Sequence, residues 1–100
     1  MADLDEEIRL AYSSGKVLIG YKRTVKELKS GREDIKLIII AKNAPKNIKD
    51  EITYLAKLAN IPVVEYPGKS LELGRILRKP FFVSSLAVID PGESSILKII

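Results

Sequence analysis

The chain of 100 residues contains no cysteine, no histidine, no tryptophan and no glutamine. Without cysteine and histidine there are no disulfides, no thiol catalysis and no histidine-based metal sites. Nor does any remaining side chain titrate unperturbed near neutral pH, so a general acid or base would have to be a strongly shifted carboxylate or lysine. Enzymatic readings begin at a disadvantage, and no metal or cofactor is expected. Long apolar runs are missing too. The longest, Leu37 to Ala41, is five residues, against the roughly 20 needed to span a bilayer. Met1 to Glu7 is acidic, unlike the basic and apolar start of a secretory signal, so the expected location is the cytoplasm.

What is present describes a globular chain: 46% apolar and 30% charged residues. The length suits a single domain over residues 1–100, burying roughly 60–70% of its unfolded surface. Fourteen isoleucines and 12 lysines, beside few oxidisable or deamidating residues, give the balance expected of a thermophile. The net charge of +4 is unevenly spread. Residues 1–15 carry −3, residues 16–49 carry +7, and residues 50–100 are neutral. The basic third of the chain points to a localised face for a polyanion.

Apolar spacing switches regularly between helical and strand periods. Leu4, Ile8 and Ala11 mark a first helix, with acids in its opening turn and Gly15 as its stop. Val17 to Ile19 reads as a short strand ended by Gly20, and Tyr21, Val25 and Leu28 as a second helix. Ile35 to Ala41, β-branched and continuous, is expected to be a central strand covered on both faces. Asn47 is expected to cap a third helix with the apolar stripe Ile48, Ile52, Leu55 and Ala59, ended by Asn60. Ile61 to Val64 reads as a third strand. Ser70 is expected to cap a short helix running through Leu77, and Phe82 to Ile89 reads as the last strand. Tyr12, Tyr54 and Tyr66 fall at packing positions. This alternation implies an α/β fold, a three-layer α/β/α sandwich on a four-stranded mixed sheet. Ligands of such sheets bind in loops beyond the strand ends, here after Ile19, after Ala41 and around Phe81.

Each of those loops carries suggestive chemistry. Gly20-Tyr21-Lys22-Arg23 joins a strand to a helix N-terminus, where free N–H groups and two cations make a site for phosphate. A nucleotide-binding P-loop would need more glycines before its lysine. The plainer reading is a permissive turn and a solvated basic helix face. Lys42, Asn43 and Lys46 follow the central strand; an Asn amide can read a base edge while lysines hold phosphates, although Asn before Ala-Pro also simply shapes turns. In Phe81-Phe82, strand alternation lets only one ring face the core, leaving the other to stack on an unpaired base or to cover a helix end. The acidic pairs Glu6-Glu7, Glu33-Asp34 and Asp50-Glu51 read as solubilising charge.

The runs Lys16 to Lys22, Leu37 to Pro45, Ile61 to Val63, Leu71 to Gly74 and Asp90 to Ser94 together resemble the archaeal and eukaryotic L thirty-e family of large-subunit ribosomal proteins. The resemblance covers essentially the whole chain. It implies a non-catalytic member of the kink-turn RNA-binding superfamily, found in the ribosome, with ribosomal RNA and neighbouring ribosomal proteins as partners and no small-molecule substrate. Carried over by position, Gly20 allows close backbone approach, Lys22 contacts phosphate, Asn43 reads a guanine edge, and Phe81 with Val83 packs on an extruded base. A basic side chain that eukaryotic relatives place early in the third helix aligns with Ile48 or Lys49. Phe82 competes with Phe81 as the stacking ring. A sister particle that guides or processes RNA, and a small phosphate-binding α/β enzyme using the Gly20 turn, are the alternatives.

Overall fold

The computed structural model describes residues 3–99 and alternates helix and strand in the expected order. The elements are α1 (Leu4–Ser14), β1 (Lys16–Ile19), α2 (Tyr21–Lys29), β2 (Leu37–Ala41), α3 (Lys46–Leu58), β3 (Val63–Tyr66), α4 (Ser70–Ile76) and β4 (Ser85–Asp90), followed by a 3₁₀ turn at Ile96–Lys98. The strands form one mixed sheet in the order β1-β4-β2-β3. β4 runs antiparallel to both β1 and β2, whereas β2 and β3 are parallel.

All five residues of β2 are buried because both faces of the sheet are covered. Leu37, Ile39 and Ala41 meet Ile8 and Ala11 of α1 and Leu73 and Ile76 of α4 on one face. Ile38 and Ile40, pointing the other way, meet Val25 and Leu28 of α2 and Ile52 and Ala56 of α3. Each such side chain contributes about 1.5–3 kcal/mol by leaving water. The result is the three-layer α/β/α sandwich, with α1 and α4 on one side and α2 and α3 on the other.

Local signals explain several boundaries. Asp3 caps α1 through a 3.0 Å bond accepted from the Asp5 N–H. Asn60, at φ 58°, supplies the left-handed residue after α3, a conformation asparagine tolerates better than most.

Other expectations are corrected. Asn47 does not cap α3, which starts at Lys46 with Pro45 before it; the Pro45 carbonyl receives the Ile48 and Lys49 N–H groups at 3.0 Å each. Proline disfavours the helical region for the residue before it, and the helix begins immediately after the ring. The central strand starts at Leu37 rather than Ile35, and the third runs from Val63 to Tyr66 rather than from Ile61 to Val64. The last strand starts at Ser85 rather than Phe82, because the Val83 N–H turns to the Ser70 carbonyl at 3.1 Å instead of joining the sheet. Outside the pleat, neither phenylalanine faces the core: Phe81 is 54% and Phe82 69% exposed. Tyr54, expected to pack, lies 64% exposed on α3. Glu7 is more than surface charge. Its Oε1 accepts from Ser94 Oγ at 2.9 Å and from the Ser95 N–H at 2.7 Å, fastening the C-terminal turn to α1.

Candidate nucleic-acid interface

The end of the sheet where β1, β2 and β3 finish gathers the loops singled out by sequence. Three consecutive residues entering β4 hold them together. The Val83 N–H donates to the Ser70 carbonyl at the start of α4, the Ser84 carbonyl accepts from Ala41 at 2.8 Å, and the Ser85 carbonyl accepts from Gly20 at 2.9 Å. One short segment therefore fixes the loops after β1 and β2 and the start of α4.

Gly20 adopts φ 102°, a conformation that L side chains rarely adopt, and a Cβ placed on it would meet nothing within 4 Å. Open space lies above this backbone. Its carbonyl accepts the Thr24 N–H at 3.1 Å and Thr24 Oγ1 at 2.8 Å, which locks the first turn of α2. Tyr21 is half-buried against the core beneath α2 and α3, while Lys22 and Arg23 are exposed. Among the described residues, neither of these two cations forms an ion pair.

Asn43 stands in the next loop. Its Oδ1 accepts the Ser70 N–H at 2.7 Å, so Asn43, not Ser70, supplies the side-chain bond at the start of α4. Because a backbone N–H can only donate, the partner atom must be oxygen, and the Nδ2 group is left as a donor. Lys42 and Lys46 are exposed; Lys46 pairs with Asp50 at 2.8 Å, and this neighbour raises the lysine pKa. Lys49 is committed within the protein, donating to the Lys42 carbonyl at 2.6 Å and lying 3.5 Å from Glu65. It braces the Asn43 turn from below.

Phe81 and Phe82 project beside these loops. Their backbone rests on Gly74, where an added Cβ would lie 2.2 Å from the Phe81 carbonyl oxygen. Glycine inside α4 is thus a close-packing requirement that brings the aromatic loop against the helix. Val83, expected against an extruded base, is instead 1% exposed and belongs to the core, anchoring the two rings.

A fourth loop escaped sequence reasoning. Pro67 to Lys69 follows β3, and the Gly68 carbonyl accepts the Lys42 N–H at 3.0 Å. Exposed Lys69 therefore adjoins Asn43. The available signal was the parallel pairing of β2 with β3, which obliges their following loops to share an end.

The electrostatics are one-sided. Neither α2 nor α3 carries an acid in its first turn. Helix N-termini favour negative charge, yet here they bear Lys22, Arg23, Lys46 and Lys49. Such an arrangement opposes local helix stability and is suited to an incoming anion. Among the described residues no cluster of carboxylates could hold a metal ion. Backbone N–H groups, cations, an amide donor and exposed rings can neutralise phosphate, read an edge and stack on a base.

The sequence matches the Ribosomal protein L7Ae/L30e/S12e/Gadd45 family over residues 2–98. It is 45% identical over 100 residues to a Pyrobaculum calidifontis protein named large ribosomal subunit protein eL30, covering 100% of this chain and 97% of that one. The protein of the same name from Methanothermobacter thermautotrophicus is 45% identical over 98 residues, covering 98% of each chain. A solved structure of a Bacillus halodurans C protein of unknown function superposes with a TM-score of 0.81 at 25% identity, covering 99% of this chain and 96% of the other. The chain belongs to the Ribosomal protein L7Ae/L30e/S12e/Gadd45 family.

Proposed function

We propose that this protein is a structural constituent of the large ribosomal subunit, a single RNA-binding domain that grips a kink-turn or similarly bent internal loop of ribosomal RNA. The observation that carries this reading is the joining of Gly20, Asn43 and the Phe81-Phe82 loop at one end of the sheet, through backbone hydrogen bonds at Ser70, Val83, Ser84 and Ser85. The names of the eL30 relatives support the ribosomal assignment.

Each element has a task. Lys22, Arg23, Lys42 and Lys46 neutralise phosphates, aided by the N–H groups at the start of α2. The Asn43 Nδ2 donor meets guanine O6 or N7. The bidentate pairing that an asparagine makes with adenine would need Oδ1 to accept a second bond beside the one from Ser70. Phe81 stacks on an extruded base, with Phe82 shielding it. Tyr21 and Lys49 hold the two loops in shape. A sharply bent internal loop suits this end because it presents unpaired bases and two phosphate strands within one short span.

Filter binding tests the proposal. Kink-turn RNA is expected to bind at least tenfold more tightly than a plain duplex of equal length at the same salt. Equal affinity for the two would overturn it.

A further inference from the structure

A second cationic surface adjoins the aromatic loop. Between α1 and the end of α4 runs a cleft of about 500 Å³ whose lining includes Arg9, Tyr12, Arg78 and Lys79 and no carboxylate. The clefts beside α2 and beside β3 each include a glutamate, Glu51 and Glu65. Among the described residues, none of Arg9, Arg78 and Lys79 forms an ion pair. Lys79 Nζ sits 5.0 Å from the centre of the Tyr12 ring, which holds that ammonium at the cleft wall.

Arg78 provides an independent observation. It occupies φ 57°, in the left-handed region that glycine normally fills after a helix. Its N–H bonds to the Arg75 carbonyl and that of Lys79 to the Gly74 carbonyl, each at 2.9 Å, closing α4 in the pattern where glycine is the preferred residue. A large cation therefore stands where backbone energetics favour no side chain at all. Strain of this kind marks positions where the side chain has a function. The positive end charge suits the helix dipole, but Arg75 in the last turn already supplies one without strain.

We infer that this cleft is a second RNA-contact surface, in which Arg9, Arg78 and Lys79 hold the sugar-phosphate backbone of RNA leaving the kinked element. The inference rests on the proposed kink-turn reading for its continuity: Lys79 is two residues from Phe81, so the cleft adjoins the loop on which a base is proposed to stack. RNA is favoured over an acidic peptide because of this continuity with the aromatic loop.

The test uses the full chain and two RNAs, a minimal kink-turn and the same kink-turn extended by a helical turn on each side. Arg78→Gly, which relieves the backbone, is expected to leave the melting temperature unchanged or raise it. The same variant should lower the salt slope of binding to the extended RNA by about 0.7–0.9, with binding to the minimal RNA unaltered. Arg9→Ala should act likewise. Unchanged slopes for both variants on the extended RNA would overturn the inference. So would intact RNA affinity with weakened co-sedimentation with large subunits, which would assign the cleft to an acidic protein. Should the wild type show no preference for kinked RNA, the kink-turn reading fails by itself. The cleft is then judged on plain duplex, where a slope reduced by Arg78→Gly supports it and an unchanged slope overturns it.

Discussion

Asn43 Oδ1 accepts a 2.7 Å hydrogen bond from the backbone N–H of Ser70, 27 residues further along the chain. One side chain thus closes the loop after β2 onto the start of α4, and the same bond leaves its Nδ2 as a donor. Structure and recognition are carried by different atoms of one residue. Asn43→Asp keeps the acceptor for Ser70 but removes the donor and adds negative charge. It is expected to melt within a few degrees of the wild type while losing discrimination between kinked and plain RNA. Asn43→Ala removes both atoms' roles, so stability should fall by about 1 kcal/mol and affinity by about 1–3 kcal/mol. Melting curves and filter binding on the two variants separate these contributions.

Gly74→Ala tests how the aromatic loop is seated. Alanine improves helix propensity by about 1 kcal/mol, but its Cβ would lie 2.2 Å from the Phe81 carbonyl oxygen, a backbone atom that cannot swing aside. Overpacking of about 1–3 kcal/mol outweighs the propensity gain. Urea denaturation should show net destabilisation, and RNA affinity should fall with it as Phe81 is displaced.

Much of this arrangement was legible in the sequence. The continuous apolar run of β2 announced a strand covered on both faces, Gly15 and Asn60 marked helix ends, and Gly20, Asn43 and the phenylalanines named the loops that meet. What escaped depends on contacts between distant segments. Nothing local shows that the Ser70 N–H would be met by Asn43, or that Glu7 would fasten residues 94 and 95. Periodicity placed Phe82 in a strand because it counts side-chain alternation, whereas the chain was diverted by a backbone bond between Val83 and Ser70. The cleft cations were hidden for a similar reason. Arg9 lies in a segment of negative net charge and Arg78 and Lys79 in a neutral one, and only folding brings them together.

Phe81 and Phe82 offer a test of stacking. Both rings are more than half exposed, so replacing either with alanine should change stability by no more than about 0.5 kcal/mol. Phe81→Ala is expected to weaken RNA binding by about 1–3 kcal/mol, the range for loss of one stacked base. A smaller loss is expected for Phe82→Ala, measured by fluorescence anisotropy with labelled RNA.

Lys22→Ala should weaken binding to kinked and plain RNA alike and reduce the salt slope by about 0.7–0.9, the loss of one phosphate contact. A slope unchanged between 50 and 200 mM salt would remove Lys22 from the interface.

Tyr66 gives a prediction in pH. Burial, then the neighbouring Asp5 carboxylate and the charges of Glu72 and Asp3, push its hydroxyl pKa well above the ordinary tyrosine value. A raised folded pKa contributes stability that is fully present below the unfolded value of about 10 and is lost as pH rises beyond it. Wild-type melting temperature should therefore drop more steeply above about pH 10 than that of Tyr66→Phe, which has no proton to lose.

The central claim is that RNA occupies the end of the sheet where the four loops meet. Backbone amide shifts followed by NMR during titration with minimal kink-turn RNA test it most directly. The expected result is perturbation concentrated at Gly20 to Arg23, Lys42 to Lys46, Gly68 to Ser70 and Phe81 to Ser84. Shifts concentrated instead on the outer face of α3 around Tyr54 and Leu58, with those four loops unmoved, would contradict the account.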